Sequence, residues 1–214
     1  PKIYKTYRVM KLKVCGMRET ENILDLSILK PDYMGFIFWE KSSRFVKKTT
    51  PDLNKKIKKT GVFVDASEEY ICNMISLHQL QAVQLHGRET PRFCKQIKKL
   101  GVEVIKTFSI KKHFDFSILM PYEENCDFFL FDTKGKLPGG NGYVFEWNIL
   151  NHYPSRKSFF LSGGIGIDNM VQIKKNLKRT LPIYAIDVNS KFEISPGIKK
   201  IKALKEFKKE IDEL

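Results

Sequence analysis

Apolar residues recur along the chain in two alternating patterns. Short runs with a period of two, or with no polar interruption, predict strands, and longer stretches with apolar positions every three or four residues predict helices. Eight strands are predicted at residues 9–15, 33–38, 60–65, 82–86, 102–108, 127–132, 158–163 and 183–188. Helices are predicted over residues 20–30, 51–59, 67–80, 90–100, 167–179 and 197–210. The periodicity after the fifth and sixth strands is weaker, and there we expect short or irregular helices.

The carboxyl ends of the eight predicted strands follow one another at intervals of 21 to 31 residues. Strands that alternate with helices pair in parallel through right-handed crossovers, and eight such units can close into a barrel without sheet edges. A doubly wound open sheet is the alternative, but 214 residues hold eight units with no room for insertions. We therefore predict an α/β fold, a single (β/α)8 TIM barrel of eight parallel strands over residues 10–214. Residues 1–9 are an extension of uncertain status and are left out of the functional argument.

The composition changes this picture little. The formal charge is +14, which raises the possibility of a polyanionic partner, but the lysines lie on almost every predicted helix opposite an apolar stripe. This distribution is typical of a solvated basic surface. No apolar run approaches the length of a membrane span, and the four cysteines form no CxxC pair and lie at no ligand spacing to a histidine. We expect a cytoplasmic protein with reduced thiols and neither a zinc site nor a disulfide framework.

In a parallel barrel the carboxyl ends of all strands lie on one face, where active sites are built. Strand-end residues from distant parts of the chain are therefore expected to converge there: Cys15, Asp65, His86, Asp132, Gly163 and Asp187. A buried cysteine is often only an apolar filler, but at a strand end a thiol can act as a base if neighbouring charges lower its pKa. Asp132 either accepts hydrogen bonds from the loop after it or acts as a general acid. A base and an acid of this kind are the pair that an isomerisation needs.

Two further loops suit an anionic substrate. The stretch "LSGGIGIDN" places Gly163 and Gly164 between a strand and a helix, where backbone amides can approach a phosphate. Asn189 and Ser190 follow the eighth strand and can donate to the same anion, as is common in barrels. Arg44, in the loop after the second strand, is either a solvated surface cation or a bidentate partner for a carboxylate.

Seven segments together resemble the phosphoribosylanthranilate isomerase family, from about Lys11 to the end of the chain and in the same order. They are "KVCGMRETENI", "GFIFWEKSSRFV", "GVFVD", "VQLHG", "FDTKGKLPGGNGYVFEW", "LSGGIGIDN" and "AIDVNSKFEISPGIKK". The resemblance implies an Amadori rearrangement in tryptophan biosynthesis that uses neither metal nor cofactor, by a protein that is a monomer or a homodimer.

The resemblance also implies roles for individual residues. Cys15 is implied as the general base, Asp132 as the general acid, and Arg44 as the group that holds the carboxylate of anthranilate. The phosphate is implied to lie against Gly163, Gly164, Asn189 and Ser190. Positions near the substrate, with less definite roles, are implied for His86 and Asp187.

Four residues depart from the usual family pattern: Asn141, Glu146, Asn189 and Lys191. These changes bear on substrate affinity more than on the type of reaction. Three alternatives remain: an isomerase or epimerase of another phosphosugar, a bifunctional isomerase that also serves histidine biosynthesis, and a basic nucleic-acid-binding module. Cys15 argues against the bifunctional enzyme, for which paired aspartates are expected. Only the charge supports the module, because the sequence has no aromatic stacking cluster.

Overall fold

The computed structural model of the chain describes residues 10–110, 113–132, 147–171, 175 and 180–213. Eight strands within them form a closed barrel in chain order, and every neighbouring pair is parallel. Their bounds are β1 Lys11–Val14, β2 Tyr33–Ile37, β3 Lys58–Phe63, β4 Ala82–Leu85, β5 Glu103–Ser109, β6 Phe128–Asp132, β7 Phe159–Ser162 and β8 Ile183–Val188. The predicted barrel is confirmed, and the open sheet is excluded.

The barrel closes between its first and last strands. Lys11 lies opposite Ala185 and Val14 opposite Val188. The ladder continues one residue beyond β1, because the backbone N–H of Cys15 donates to the carbonyl of Val188 at 2.8 Å. The carboxyl ends of β1 and β8 are therefore adjacent on the rim.

Four α-helices are described: α1 Thr20–Ile28, α2 Glu68–His78, α3 Pro91–Lys98 and α4 Ile201–Asp212. Two of them begin with a side-chain N-cap. Ser67 accepts a hydrogen bond from the backbone of the third helical residue of α2, and Thr90 does the same for α3, whose first residue is a proline. Of the helix predicted over 167–179, Ile167–Asn169 form a 3-10 turn that leads into helical backbone. Residues 172–174 and 176–179 lie outside the described residues.

After β5 and β6, the described residues form only short helices, as predicted. The described part of each contains a 3-10 helix, over Phe116–Tyr122 and Trp147–His152. A short antiparallel hairpin after β8, β9 Glu193–Ser195 and β10 Ile198–Lys199, was not predicted. The helix expected from residue 197 therefore begins only at Ile201.

The helix predicted over residues 51–59 is wrong. The segment is extended with one turn, and β3 already begins at Lys58, where it pairs with Tyr33 of β2. Lysines at helical spacing produced the false pattern. Tertiary structure overrides it because Lys59 is buried in the strand, where its Nζ donates to the carbonyl of Pro51 at 3.0 Å.

The interior of the barrel has two different halves. Its amino-terminal half is an apolar plug of Tyr33, Ala82, Ile105, Leu130, Phe160 and Ala185. Nearer the carboxyl-terminal rim the buried side chains are polar, and they include Lys13, Gln84 and Asp187. The plug supports this polar layer from below, so the chemistry is confined to one end. In the described part of the chain, no helix is both long enough and apolar enough to cross a membrane.

Candidate active site

Cys15 lies at the rim directly after β1, and only 6% of its surface is exposed. A Cβ atom added to Gly35, on the neighbouring strand β2, would be 2.7 Å from the Cys15 sulfur, so the thiol occupies the space that this glycine leaves. Burial raises the pKa of the thiol above its usual value, and Lys13 and Lys199 oppose this effect without cancelling it. From the sequence, a role as base was conditional on neighbouring charges that lower this pKa. The cations are present, but desolvation outweighs them, and Cys15 is a neutral thiol at pH 7.

Lys13 is fully buried two residues before Cys15 on the same face of β1. Its ammonium donates to Asp187 at 2.9 Å and to Gln84 at 2.8 Å. Burial alone would lower the pKa of Lys13, but Asp187 and Cys15 outweigh it, so the pKa is raised and the lysine is a cation. The second carboxylate oxygen of Asp187 accepts from Ser162 at 3.1 Å. Asp187 therefore lies beneath the rim and is committed to Lys13.

A chain of polar side chains leads from Lys13 across the barrel to Asp132. A lysine ammonium can only donate, so the oxygen of Gln84 faces Lys13 and its amide nitrogen faces His86 Nδ1, at 3.0 Å. His86 Nδ1 is then an acceptor, which places the proton of the neutral ring on Nε2. Nε2 lies 3.4 Å from a carboxylate oxygen of Asp132, which is 8% exposed at the end of β6. His86 and Asp132 are thus brought together as predicted.

Arg44 lies beside Cys15, and its guanidinium faces a carboxylate of the chain itself. Its Nε donates to Glu193 at 2.8 Å, and its Nη2 donates to the other oxygen of the same carboxylate. Burial alone would raise the pKa of Glu193, but hydrogen bonds from Arg44 and Lys199 hold it at about 2. Because a guanidinium has five N–H donors, the Nη1 edge of Arg44 remains for a second anion.

Gly16 brings the loops after β1, β2 and β8 into contact. Its φ is +75°, a conformation that favours glycine. A Cβ added there would lie 2.6 Å from Asn189 Oδ1 and 2.7 Å from Arg44 Cδ. Asn189 Oδ1 also accepts from Lys199 at 2.6 Å, so the amide group of Asn189 turns its nitrogen away from this lysine.

The two predicted phosphate loops lie side by side. Gly163 and Gly164 both have positive φ. Among the described residues, no atom lies within 4 Å of a Cβ added to Gly164, so it is the backbone conformation that favours a glycine there. The stem of Lys191 packs against Gly166, at 3.4 Å from the position of an added Cβ. The exposed Ser190 begins the 3-10 turn that carries Lys191. The lysine that departs from the family pattern is therefore next to the glycine loop.

Asp65 belongs to a different region of the rim. Its carboxylate accepts from the backbone N–H of Arg88 at 2.6 Å and so joins the loops after β3 and β4. Asn141 and Glu146 lie outside the described residues, as does the whole segment 133–146. Within the described residues, no group of three or more His, Cys, Asp or Glu side chains is placed to hold a metal ion.

Sequence reasoning missed five residues that shape this site: Lys13, Gly35, Gln84, Glu193 and Lys199. For Lys13 and Gln84 a signal exists, because each is a polar residue in an apolar strand two positions before a predicted rim residue. Nothing in the local sequence marks the other three.

The chain is similar to one family of known proteins along nearly its whole length. The family model described as "N-(5'phosphoribosyl)anthranilate (PRA) isomerase" matches residues 12–210. The isomerase of this name from Parabacteroides distasonis is 42% identical over 209 residues, which cover 94% of this chain and 93% of that protein. The one from Phocaeicola vulgatus is 42% identical over 193 residues, 89% of this chain and 92% of that protein.

Solved structures give the same result. The crystal structure of phosphoribosyl anthranilate isomerase from Thermotoga maritima is 31% identical, covers 96% of this chain and 100% of its own, and has a TM-score of 0.83. A crystal structure of such an isomerase in complex with reduced 1-(o-carboxyphenylamino)-1-deoxyribulose 5-phosphate is 29% identical, with the same coverage and a TM-score of 0.79.

Proposed function

The chain belongs to the N-(5'-phosphoribosyl)anthranilate isomerase family and is an isomerase of tryptophan biosynthesis, and from this premise we propose how its residues divide the reaction. The reaction is the Amadori rearrangement of N-(5-phosphoribosyl)anthranilate to 1-(2-carboxyphenylamino)-1-deoxyribulose 5-phosphate. The observation that carries the proposal is the position of Cys15 and Asp132 on one rim, with an arginine beside the thiol and a glycine loop after β7.

Asp132 acts first, as the general acid. It protonates the ring oxygen of the ribose, and the ring opens to an iminium that is conjugated with the aromatic amine. The Nε2–H of His86 faces the carboxylate that this step leaves behind, at 3.4 Å. Hydrogen bonds of this kind often shorten when substrate binds, and His86 is therefore the group that stabilises ionised Asp132.

Cys15 then removes the proton from C2, which the iminium has made acidic, and the resulting enolamine tautomerises to the ketone. The raised pKa means that the thiolate is scarce before substrate binds. A cationic iminium beside the sulfur favours the thiolate, in the same direction as the buried ammonium of Lys13. Formation of the thiolate is thereby coupled to ring opening, since the iminium that favours the thiolate forms immediately before Cys15 removes the proton.

The two anionic ends of the substrate bind on either side of this pair. Arg44 receives the carboxylate of anthranilate through its Nη1 edge. The phosphate lies against the backbone of Gly163 and Gly164, with Asn189 and Ser190 as further donors. Lys191, which packs on the same glycine loop, adds a positive charge there.

The test generates phosphoribosylanthranilate in situ from anthranilate and phosphoribosyl pyrophosphate with a transferase, and follows the loss of its fluorescence. Wild type should consume it, and Cys15→Ser should fold normally and lose most turnover. Cys94→Ser is the matched control, because Cys94 is equally buried but lies in α3. If folded wild type leaves the substrate unchanged, the site serves another phosphosugar.

We further expect the protein to act in the cytoplasm as a monomer or homodimer, without nucleic acid, a membrane surface or a cofactor. The four unpaired thiols support a reducing compartment. Light scattering coupled to gel filtration distinguishes a monomer from a homodimer. Retention of the enzyme on immobilised polynucleotide at physiological salt would contradict the absence of a nucleic-acid partner.

A further inference from the structure

Glu193, at the start of β9, is a buried carboxylate with a donor on every side. Its side chain is 5% exposed. It accepts from Arg44, from Lys199 at 2.6 Å and from the backbone N–H of Gly197 at 3.1 Å. Both of its oxygens accept hydrogen bonds from groups of the chain itself, so we argue for an effect on the reaction that acts through these neighbours.

We propose that Glu193 is a positioning residue that fixes the guanidinium of Arg44 so that its remaining edge receives the ring carboxylate of the substrate. The inference rests on the role proposed above for Arg44.

The first argument is geometric. An arginine side chain has large rotamer freedom, and a bidentate carboxylate holds both its position and its plane. The fork of Glu193 occupies Nε and Nη2, and this leaves one defined edge of the guanidinium open. The stem of Arg44 rests on Gly16, where an added Cβ would be 2.7 Å from Arg44 Cδ. Arg44 is thus held from two sides next to the thiol at Cys15.

The second argument concerns charge. A single carboxylate beside Arg44 would neutralise it and weaken its attraction for an anion. Lys199 prevents this, because the trio of two cations and one anion keeps a net charge of +1 with Lys199 protonated. Burial lowers the pKa of Lys199, and its ion pair with Glu193 opposes that effect. The side chain of Lys199 is fully buried and does not reach the substrate. Its positive charge therefore acts by raising the electrostatic potential at the exposed edge of Arg44.

The test uses two stable ligands that differ only in the ring carboxylate. Reductive amination of ribose 5-phosphate with anthranilate or with aniline gives N-aryl-1-amino-1-deoxyribitol 5-phosphates, and calorimetry gives a Kd for each. Glu193→Gln removes the charged fork and also one negative charge. If the fixed geometry of Arg44 outweighs the added attraction for an anion, the variant should weaken the carboxylated ligand about tenfold or more and the aniline ligand about twofold at most. Arg44→Met should show the same selectivity, and Glu193→Gln should have no further effect in the Arg44→Met background.

Two variants make the outcome decisive. Glu193→Asp keeps the charge but shortens the side chain by one methylene, and it replaces Glu193→Gln if that variant folds poorly. It should show a smaller loss of affinity, again selective for the carboxylated ligand. Glu103→Gln is the control, because Glu103 also pairs with a lysine and accepts from a second side chain, but at the amino-terminal end of the barrel. It should leave both Kd values unchanged.

An equal loss of both ligands, or of neither, in the Glu193 variants would overturn the inference. If Arg44→Met binds both ligands as wild type does, the proposed role of Arg44 has failed, and the inference falls with it. If Arg44→Met is selective and Glu193→Gln is not, only the inference about Glu193 has failed.

Discussion

Replacing Gly35 with alanine tests whether the position of the Cys15 sulfur determines turnover. Gly35 lies in β2, next to the thiol, and a Cβ there would be 2.7 Å from Sγ and 3.0 Å from the Cys15 Cα. Its backbone conformation is ordinary for a strand, so the substitution introduces contact without backbone strain. The three nearest atoms all belong to Cys15, and the sulfur is the easiest of them to displace because the Cα belongs to the β1–β8 ladder.

The size of the effect follows from this contact. Ordinary contact begins near 3.4 Å, so the sulfur must move by about 0.7 Å or the strands must separate. A misplacement of about 1 Å at a reacting group costs on the order of 100-fold in rate. Overpacking of a core costs about 1–3 kcal/mol of stability. We therefore expect Gly35→Ala to fold and to lose about 10- to 100-fold in kcat/KM.

The assay is the fluorescence decay of phosphoribosylanthranilate, measured beside the urea unfolding midpoint. Gly61→Ala is the matched control, because a Cβ on this glycine of β3 would be 2.6 Å from Leu80 and from Phe63, and its nearest contacts do not include the thiol. It should lose stability to a similar degree and keep its turnover. Wild-type turnover by folded Gly35→Ala, or an equal loss in both variants, would refute the reasoning.

The remaining predictions concern the acid, the base and the buried carboxylate. Asp132→Asn should bind the reduced carboxylated ligand with near-wild-type Kd but lose about 100-fold or more in kcat, and unimpaired turnover would place the acid elsewhere. Because burial raises the pKa of Cys15, alkylation by iodoacetamide, followed by mass spectrometry, should be slow at pH 7 and reach half its maximal rate at a higher pH than for a free cysteine; a plateau at neutral pH would contradict this. The pKa of Glu193 is held at about 2 against 4.5 when free, so its stabilisation is complete above pH 4.5 and is lost as the pH falls towards 2. Urea unfolding should show a smaller loss of stability on acidification in Glu193→Gln than in wild type, and parallel curves would contradict the assignment.

The fold was predictable because most of its elements are encoded locally. Alternating apolar runs identified all eight strands, and the helices predicted from Ser67 and from Thr90 begin one residue later, with these two residues as their N-caps. The failure at residues 51–59 has the opposite cause. There the pairing of β3 with β2 decides the conformation, and lysines at helical spacing carry no information about it.

The site was predictable only at the level of topology. Parallel strands must end on one face, and this rule was enough to bring Cys15, His86 and Asp132 to the same rim. The rule does not predict which buried side chains contact these rim residues and their neighbours. The fork between Arg44 and Glu193 joins residues 149 apart, and the ion pair between Lys13 and Asp187 joins residues 174 apart. Such contacts depend on side-chain reach across a closed barrel, which a single sequence does not reveal.

The closure of β1 against β8 has a consequence for how the protein is made. Several groups that surround Cys15 lie at or after residue 187, among them Asp187, Val188 and Lys199. During synthesis, both proton-transfer groups, Cys15 and Asp132, are present once residue 132 has been added. The later neighbours of Cys15 have not yet been made at that stage. The burial that suppresses the thiol is then absent, and the sulfur is open to electrophiles. The time at which Cys15 becomes resistant to alkylation is therefore the time at which the barrel closes. It can be measured by a pulse of iodoacetamide at successive stages of synthesis or refolding.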